Sequence, residues 1–580
     1  MPQAAFLKMS DRTTHTVAVE CLPDRAARQP IMSSAPGIDV CILTRLAGHP
    51  NLTISTGNAI RYAGFDFVYV PGLEYVCLRF DSSLTIANHN NAPSVFVLGI
   101  DGASFDLIQP WIDGGELPNL GRMQQEGSFG RMKSCLPPVT CPAWKCYSTG
   151  MNPGRLGVFW WVRVDFENRR IRAHNSLSFR GTELWDYLNA HGLKVGVINM
   201  PTTYPPKNLE SFIVAGGPDA EETDFAYPWG LTQELKKKGY RINLPGLDFS
   251  TTRKEATAKE ILKLIRSRFE IARELMERYP VDFMHLTIVE INILHHFLWN
   301  DSLVLEAWKL IDEELGGLCK KVNDMIVISD HGCMRIDRIF YMNTWFEKHG
   351  YLKRVSHRNA MLMKWVASLA YILRLSRIIA PFLSSSLRKR IPTRDGTRRI
   401  ESSPTEDVDW TRTIALATGQ GPIYINRRLA GPKYESLRRE LVEQIEELRD
   451  PETNRKICKK VHRREDVFQG PYVDSAPDLI AEQAHGFHID GGIGKKDVYG
   501  LSRVWQAENE ESGVFLALGP SFDCGKNLGD IAIYDVAPTI LHLIGLPVPP
   551  DIDGRVLMEA FRKGSDASLR QVVVGATLEK

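Results

Sequence analysis

The stretch Ser94–Ile100, SVFVLGI, followed at once by Asp101-Gly102, decides the fold. An unbroken apolar run of this kind predicts a strand buried on both faces, as in a parallel sheet covered by helices; a half-exposed strand would alternate apolar and polar residues. Further runs of the same type follow: Val195–Asn199 (VGVIN), Phe283–Leu286 leading into Ile288–Ile291, Met325–Ser329 (MIVIS), Asp478–Ala481 (DLIA) and Val514–Leu518 (VFLAL). Between them lie helical stretches, including Arg253–Tyr279 and Leu303–Lys320. Strands alternating with helices predict an α/β fold: a doubly wound, mostly parallel sheet with helices on both faces. In open sheets of this class a site forms beyond the carboxyl ends of the strands. Three runs end there in polar, ligand-type residues: Asp101, Asn292 and Asp330-His331.

Composition agrees with a large folded chain. Of 580 residues, 43% are hydrophobic and 24% charged, close to globular averages, which excludes wholesale disorder. The 71 Lys+Arg against 69 Asp+Glu leave +2, so no global electrostatic case for a nucleic-acid partner exists. Ten cysteines are scattered without a C-x-x-C pair and read as mostly reduced core thiols rather than a zinc ribbon or disulfide frame. The first twenty residues lack the apolar core of a secretory signal, and no run of about 18 apolar residues offers a transmembrane segment. The expected location is cytoplasmic.

Two regions depart from the alternation. Residues 1–93 are polar and Pro-containing at first, then carry short β-type runs at Asp66–Pro71 and Tyr75–Phe80; they read either as a small accessory layer or as an extension. Residues 94–580 read as one catalytic domain, interrupted at about 346–411 by a helical cap insertion. Within that insertion Ala360–Leu383 is apolar with Lys364, Arg374 and Arg377 interspersed, and it leads into Arg388-Lys389-Arg390, Arg394, Arg398 and Arg399. One reading is a cap touching an anionic or lipid-like ligand; the plainer one is a helical insertion with a solvated basic face.

Asp101, Thr140 in PPVTCPAW (Pro137–Trp144), and Asp330 with His331 in SDHG (Ser329–Gly332) make a candidate site. Two carboxylates, an imidazole and a hydroxyl suit one divalent cation, zinc or manganese, which would make the hydroxyl a better nucleophile. Singly, each has an ordinary explanation, such as a helix cap or turn chemistry; their order along the chain carries the case.

The segments FVLGIDGASFDLI, LPNLGRMQQEG, LPPVTCPAWKCYSTGMNPG, INMPTTYPP, HHFLW, VISDHG, VHRREDVFQGPYVDSAPDLI and YDVAPTILHLIGLPVPPDIDGRVL, from about Ser94 to Leu557, resemble the type I phosphodiesterase/nucleotide pyrophosphatase branch of the alkaline phosphatase superfamily. The resemblance implies an alkaline-phosphatase-like fold with a two-metal phosphoryl-transfer site, one metal on Asp101, nucleophilic Thr140, Asp330 and His331. The partner metal would take an Asp, a His four residues on, and a distant His. Here those positions hold Asn292, His296 and Asn509. A neutral amide oxygen is tolerable to magnesium or calcium but poor for zinc, so the second site reads as degenerate and one ion per chain is expected.

His295 and Glu290 are candidate substitutes in that second pocket, and His485 and His488 are more distant ones, read as part of a surface hairpin. Lys145 could meet a phosphate oxygen, and Trp160 with Trp161 could line an apolar pocket. Cys141 beside Thr140 is not expected to act as a thiol nucleophile. The leading reading is an enzyme cleaving a phosphate or diphosphate ester through Thr140, with His296 as general acid or base and a substrate that is bulky or lipophilic. The alternatives are non-hydrolytic chemistry on such an ester and a silent phosphate-binding protein. Substrate identity and oligomeric state are not legible.

Overall fold

The computed structural model describes residues 93–217, 220–243, 247–250, 252–299, 301–355 and 407–578, with the backbone of seven short strands before residue 93. Met1–His89 and Asn90–Lys580 are separate compact units. In the first, five strands pair antiparallel in the order Ile38–Ile42, Leu73–Phe80, Phe65–Val70, Ala59–Tyr62, Thr53–Ile54. The two runs expected as strands there are adjacent partners.

The second unit is built on a nine-stranded sheet. Its strands are β1 (Val95–Ile100), β2 (Ser128–Lys133), β3 (Val195–Met200), β4 (Phe212–Ala215), β5 (Ala226–Tyr227), β6 (Phe283–Ile288), β7 (Asp324–Ile328), β8 (Ser512–Leu518) and β9 (Lys526–Ala532). The order is β5-β4-β3-β6-β1-β7-β8-β2-β9, parallel except where β5 and β8 run against their neighbours. β1 lies in the middle, parallel to β6 on one side and β7 on the other. Its side chains go alternately to the two faces: Phe96, Leu98 and Ile100 join one buried cluster, Val95 and Val97 another. Every residue of the strand is buried, which is why the sequence shows an unbroken run.

Helices cover both faces. α2 (Lys254–Arg278), α3 (Glu290–Leu298) and α4 (Ser302–Cys319) fill the first cluster, and α1 (Thr140–Thr149) the second. α1 packs closely on β1 because Gly99 has no side chain: a Cβ there would lie 2.5 Å from Trp144 Cη2.

Three expectations need correction. Phe283–Ile291 is not two strand runs, because β6 ends at Ile288 and the chain turns helical at Val289, giving α3. β8 belongs to the main sheet but runs antiparallel to β7. Asp478–Ala481 does not join this sheet; Leu479–Gln483 pairs antiparallel with Pro422–Ile425 and Cys458–Arg463 in a separate four-stranded sheet. That sheet has its own buried cluster around Leu416, Ile423, Leu441 and Leu479, so a buried run there signals a second core. A further sheet is centred on Gly332–Tyr341, which pairs with Gly486–Asp490, Tyr499–Leu501 and Ala507–Glu510.

Of the expected cap at about 346–411, the apolar run Ala360–Leu383 and the basic stretch through Arg399 lie outside the described residues. Among the described residues no helix is long and apolar enough to cross a membrane.

Gly99→Ala should place its new methyl into the Trp144 ring and cost about 1–3 kcal/mol, as overpacking in a dense core does. Urea unfolding would read this; a cost below about 0.5 kcal/mol, typical of unconstrained positions, would mean that α1 can withdraw freely from β1.

Candidate metal and nucleophile site

Parallel pairing brings the carboxyl ends of β1, β6 and β7 side by side. Asp101 follows β1 and donates its backbone N–H to Ile288 O at the end of β6. Asp330 and His331 follow β7. Gly102 N–H donates to Asp330 Oδ1 at 3.3 Å, so the two carboxylates are held together by the chain that carries them. Asp101 Oδ1, Asp330 Oδ2 and His331 Nε2 belong to one tight group: Nε2 lies 3.1 Å from Asp330 Oδ2 and 3.7 Å from Asp101 Oδ1.

Thr140 is the first residue of α1, and its Oγ1 lies 3.1 Å from His331 Nε2. The first-turn N–H groups of a helix have no partner within it and favour an anion there. All four residues are more than nine-tenths buried. Asp101 Oδ1 and Asp330 Oδ2 are enclosed without a hydrogen-bond partner, while Trp144 Nε1 donates to Asp101 Oδ2 at 3.2 Å.

The electrostatics follow from that crowding. Burial, then the neighbouring Asp330 charge, pushes Asp101 up to about 8, with His331, Trp144 and Asn292 giving partial relief. Burial alone would lower His331, but Asp330 and Asp101 outweigh it and hold the ring up to about 9. The cluster therefore retains protons at neutral pH in place of a cation. Two carboxylate oxygens and an imidazole nitrogen, bare and convergent, fit a divalent ion of the zinc or manganese kind.

The second pocket is different. Asn292 on α3 lies close enough to Asp101 to ease its ionisation, and its Oδ1 packs against Gly102, where a Cβ would lie 2.3 Å away. Asn509 lies on Ala507–Glu510, opposite Cys333. The Oδ1 atoms of both asparagines are buried without a partner. His296 donates Nδ1–H to Ala507 O at 2.8 Å, which leaves the lone pair on Nε2, and its ring stacks on Trp505 at 4.0 Å. Burial lowers its pKa.

Other candidates lie elsewhere. His295 accepts from Trp308 Nε1 at 3.0 Å and is held down to about 3 by burial, so it faces the helical core. Glu290 is ion-paired with buried Arg268 at 2.8 Å. Neither replaces a missing ligand. Lys145 does not present itself to a phosphate: it pairs with Glu183 at 2.6 Å, both nearly inaccessible, because an ammonium on the buried face of α1 needs a counter-ion. Trp161 packs at the edge of the second cluster, whereas Trp160 donates its indole N–H to Gln420 Oε1 at 3.2 Å. Cys141 Sγ is directed at Trp160 O. His488 is not on a surface hairpin. Its strand Gly486–Asp490 runs parallel to Gly332–Tyr341, and its Nδ1 lies 2.7 Å from Glu508 Oε2.

Glu508 escapes a motif search, although a carboxylate inside the apolar-flanked segment Trp505–Val514 is a signal in itself. It is fully buried and receives Gln420 Nε2 at 2.5 Å, Asn509 N–H at 2.9 Å and Trp505 Nε1 at 3.0 Å. Burial opposes its ionisation, but His488, His296 and these donors hold it well below the usual carboxylate range. Beside it a cleft opens between the Leu136–Pro138 loop, the Leu479–Gln483 sheet and Asn509–Glu511.

A family model described as type I phosphodiesterase/nucleotide pyrophosphatase matches residues 95–512. No curated protein sequence matches the chain. Among solved structures, human ectonucleotide pyrophosphatase/phosphodiesterase 5 is 14% identical, with TM-score 0.44, over 80% of this chain and 97% of its own. Phosphonoacetate hydrolase from Sinorhizobium meliloti 1021, in complex with phosphonoacetate, is 13% identical, with TM-score 0.49, over 83% and 98%.

Because a cation must displace the protons held near Asp101 and His331, binding of zinc or manganese at pH 7 should release protons, and affinity should rise from pH 6 toward pH 9. Calorimetry in buffers of different ionisation enthalpy measures this; proton-neutral binding at pH 7 would place the ion elsewhere. Separately, Lys145→Ala removes one of the two ammonium groups paired with buried Glu183 and leaves Lys207, so it should cost about 1–3 kcal/mol in urea unfolding.

Proposed function

The chain belongs to the type I phosphodiesterase/nucleotide pyrophosphatase family, and from that membership and the site geometry we propose a metal-dependent enzyme that cleaves phosphate or diphosphate esters with Thr140 as nucleophile. The observation that carries the proposal is the convergence of Thr140 Oγ1 with His331 Nε2 and two bare carboxylate oxygens in one buried cluster. Asp101, Asp330 and His331 would hold a divalent cation, which when bound supplies Lewis-acid polarisation and charge neutralisation at the phosphate.

The residues divide the remaining work. Thr140 gives up its hydroxyl proton and its Oγ1 attacks phosphorus; the bond from phosphorus to the leaving oxygen breaks, and that oxygen takes a proton. Water then attacks phosphorus, the Oγ1–phosphorus bond breaks and Thr140 regains its proton, so each ester consumes one water. Thr140 stands at the N-terminus of α1, whose dipole favours the anionic phosphate. His296 acts as the base for water. Its low pKa keeps it neutral near pH 7, and the Ala507 carbonyl fixes the tautomer with an open Nε2.

One cation per chain is the reading the second pocket supports. The donors there are Asn292 Oδ1, Asn509 Oδ1 and His296 Nε2, a set of two neutral oxygens and one imidazole. Such a set holds zinc weakly.

Thr140→Ala should lower kcat on a chromogenic phosphodiester by at least about 10³-fold while metal content is retained, and His296→Gln by about 10²-fold. Steady-state kinetics with metal analysis decides; full activity in the Thr140 variant would rule out the covalent route. Chelation should abolish turnover, and zinc or manganese should restore it.

A further inference from the structure

A second pocket, of about 240 Å³, opens where the end of α3 meets the strand Gly332–Tyr341 and the segment that leads into Ala507–Glu510. Trp299, Arg335, Ile336, Ser502, Arg503 and Gln506 line it. It shares no lining residue with the cleft beside Leu136–Pro138 or with the metal cluster. Backbone bonds tie its walls together: Gln506 N–H donates to His296 O at 2.5 Å, and Ile336 N–H to Gln506 O at 3.0 Å.

No carboxylate is among these lining residues. Arg503 makes no ion pair among the described residues. Arg335 Nε lies 3.4 Å from Asp337 Oδ1, a carboxylate that Arg455 also meets at 3.6 Å, so one negative charge is divided between two guanidinium groups. Ser502 Oγ is enclosed without a hydrogen-bond partner. Among the described residues, the Gln506 amide and the Trp299 indole N–H have none either.

Two guanidinium forks, a hydroxyl, an amide and an indole N–H thus surround one space, and an enclosed hydroxyl left unpaired is costly. Guanidinium forks match the oxygens of carboxylate and phosphate. A carboxylate brings two oxygens and one charge; a phosphomonoester brings three terminal oxygens and nearly two charges, which suits a wall with two cations and three further donors. The space is several times the roughly 30 Å³ share of one water, so it has room for an organic group beside the oxyanion, against the Trp299 ring and Ile336.

We infer that this pocket binds an organic phosphomonoester as a free ligand, separate from any ester processed at Thr140, with the dianionic head on Arg335, Arg503 and Ser502 and the organic part against Trp299 and Ile336. Bound there, the dianion joins the segment Ser502–Gln506 to the strand that begins directly after His331. The inference does not depend on the ester-cleavage reading: a chain that holds a phosphomonoester here and cleaves nothing keeps it.

The test is calorimetric titration at pH 8 with phenyl phosphate and phenyl sulfate, which share a shape and differ by about one charge. The full chain carries Thr140→Ala to prevent turnover and is titrated metal-replete, then again after the metal is removed by dialysis against a chelator. Expected is one binding event per chain that metal removal spares, at least about tenfold tighter for the phosphate than for the sulfate. Arg335→Gln with Arg503→Gln should weaken that event by at least about tenfold, and Ser502→Ala, which removes no charge, by about fivefold. Both arginines are exposed, so the urea midpoint of the double variant should match the parent's, which separates lost contacts from a damaged fold. Equal affinity for the two ligands, or an event that the double change does not move, overturns the inference. Phosphate held at the metal cluster alone gives an event that metal removal abolishes, and that result with no second event also overturns it.

Discussion

β1 is hydrogen-bonded in parallel to strands on both sides, and that pairing forces Asp101 and Asp330 into contact at their shared end, out of reach of water. Two buried carboxylates so placed cannot both ionise unless positive charge joins them, since desolvating each costs several kcal/mol. Without a cation, the His331 ring, Trp144, the Gly102 amide and Asn292 share the load, and the cluster keeps protons that free carboxylates and imidazole would release at pH 7. The cluster is therefore suited to an ion, and Thr140 is brought to the same point by a helix that can approach only because residue 99 is glycine.

Much of this was legible because it is written in short-range pattern. A strand buried on both faces must be continuously apolar, so SVFVLGI and MIVIS declare themselves, and the residues that end them fall at the site by topology alone. What escaped depends on long-range pairing. Nothing local tells Leu479–Gln483, with its buried positions, from a strand of the main sheet; its partners lie tens of residues away and form a separate core. Lys145 and Glu290 illustrate the same limit, since each looks like a site residue until its buried counter-ion, Glu183 or Arg268, is placed. His488 was misjudged because its strand runs parallel to a distant one rather than forming a hairpin with its neighbour.

The second pocket shows how a lost charge is absorbed. Where the resemblance places a carboxylate and an imidazole, Asn292 and Asn509 offer amides whose Oδ1 atoms are buried without a partner. Negative charge persists next door at Glu508, but there it serves a different purpose, gathering Gln420, Trp505 and His488 and so tying the smaller sheets to the strand beside the site. Trp505 in turn stacks on His296, which keeps that ring in one orientation.

The charge balance of the whole centre then bears on what it can attract. A single divalent cation held by Asp101 and Asp330 would be neutralised by those two carboxylates before any phosphate arrives. The amides of Asn292 and Asn509 add no charge to that balance. Beside Thr140 stand a helix N-terminus that favours one anionic phosphate and a cleft edged by Glu510 and Glu511.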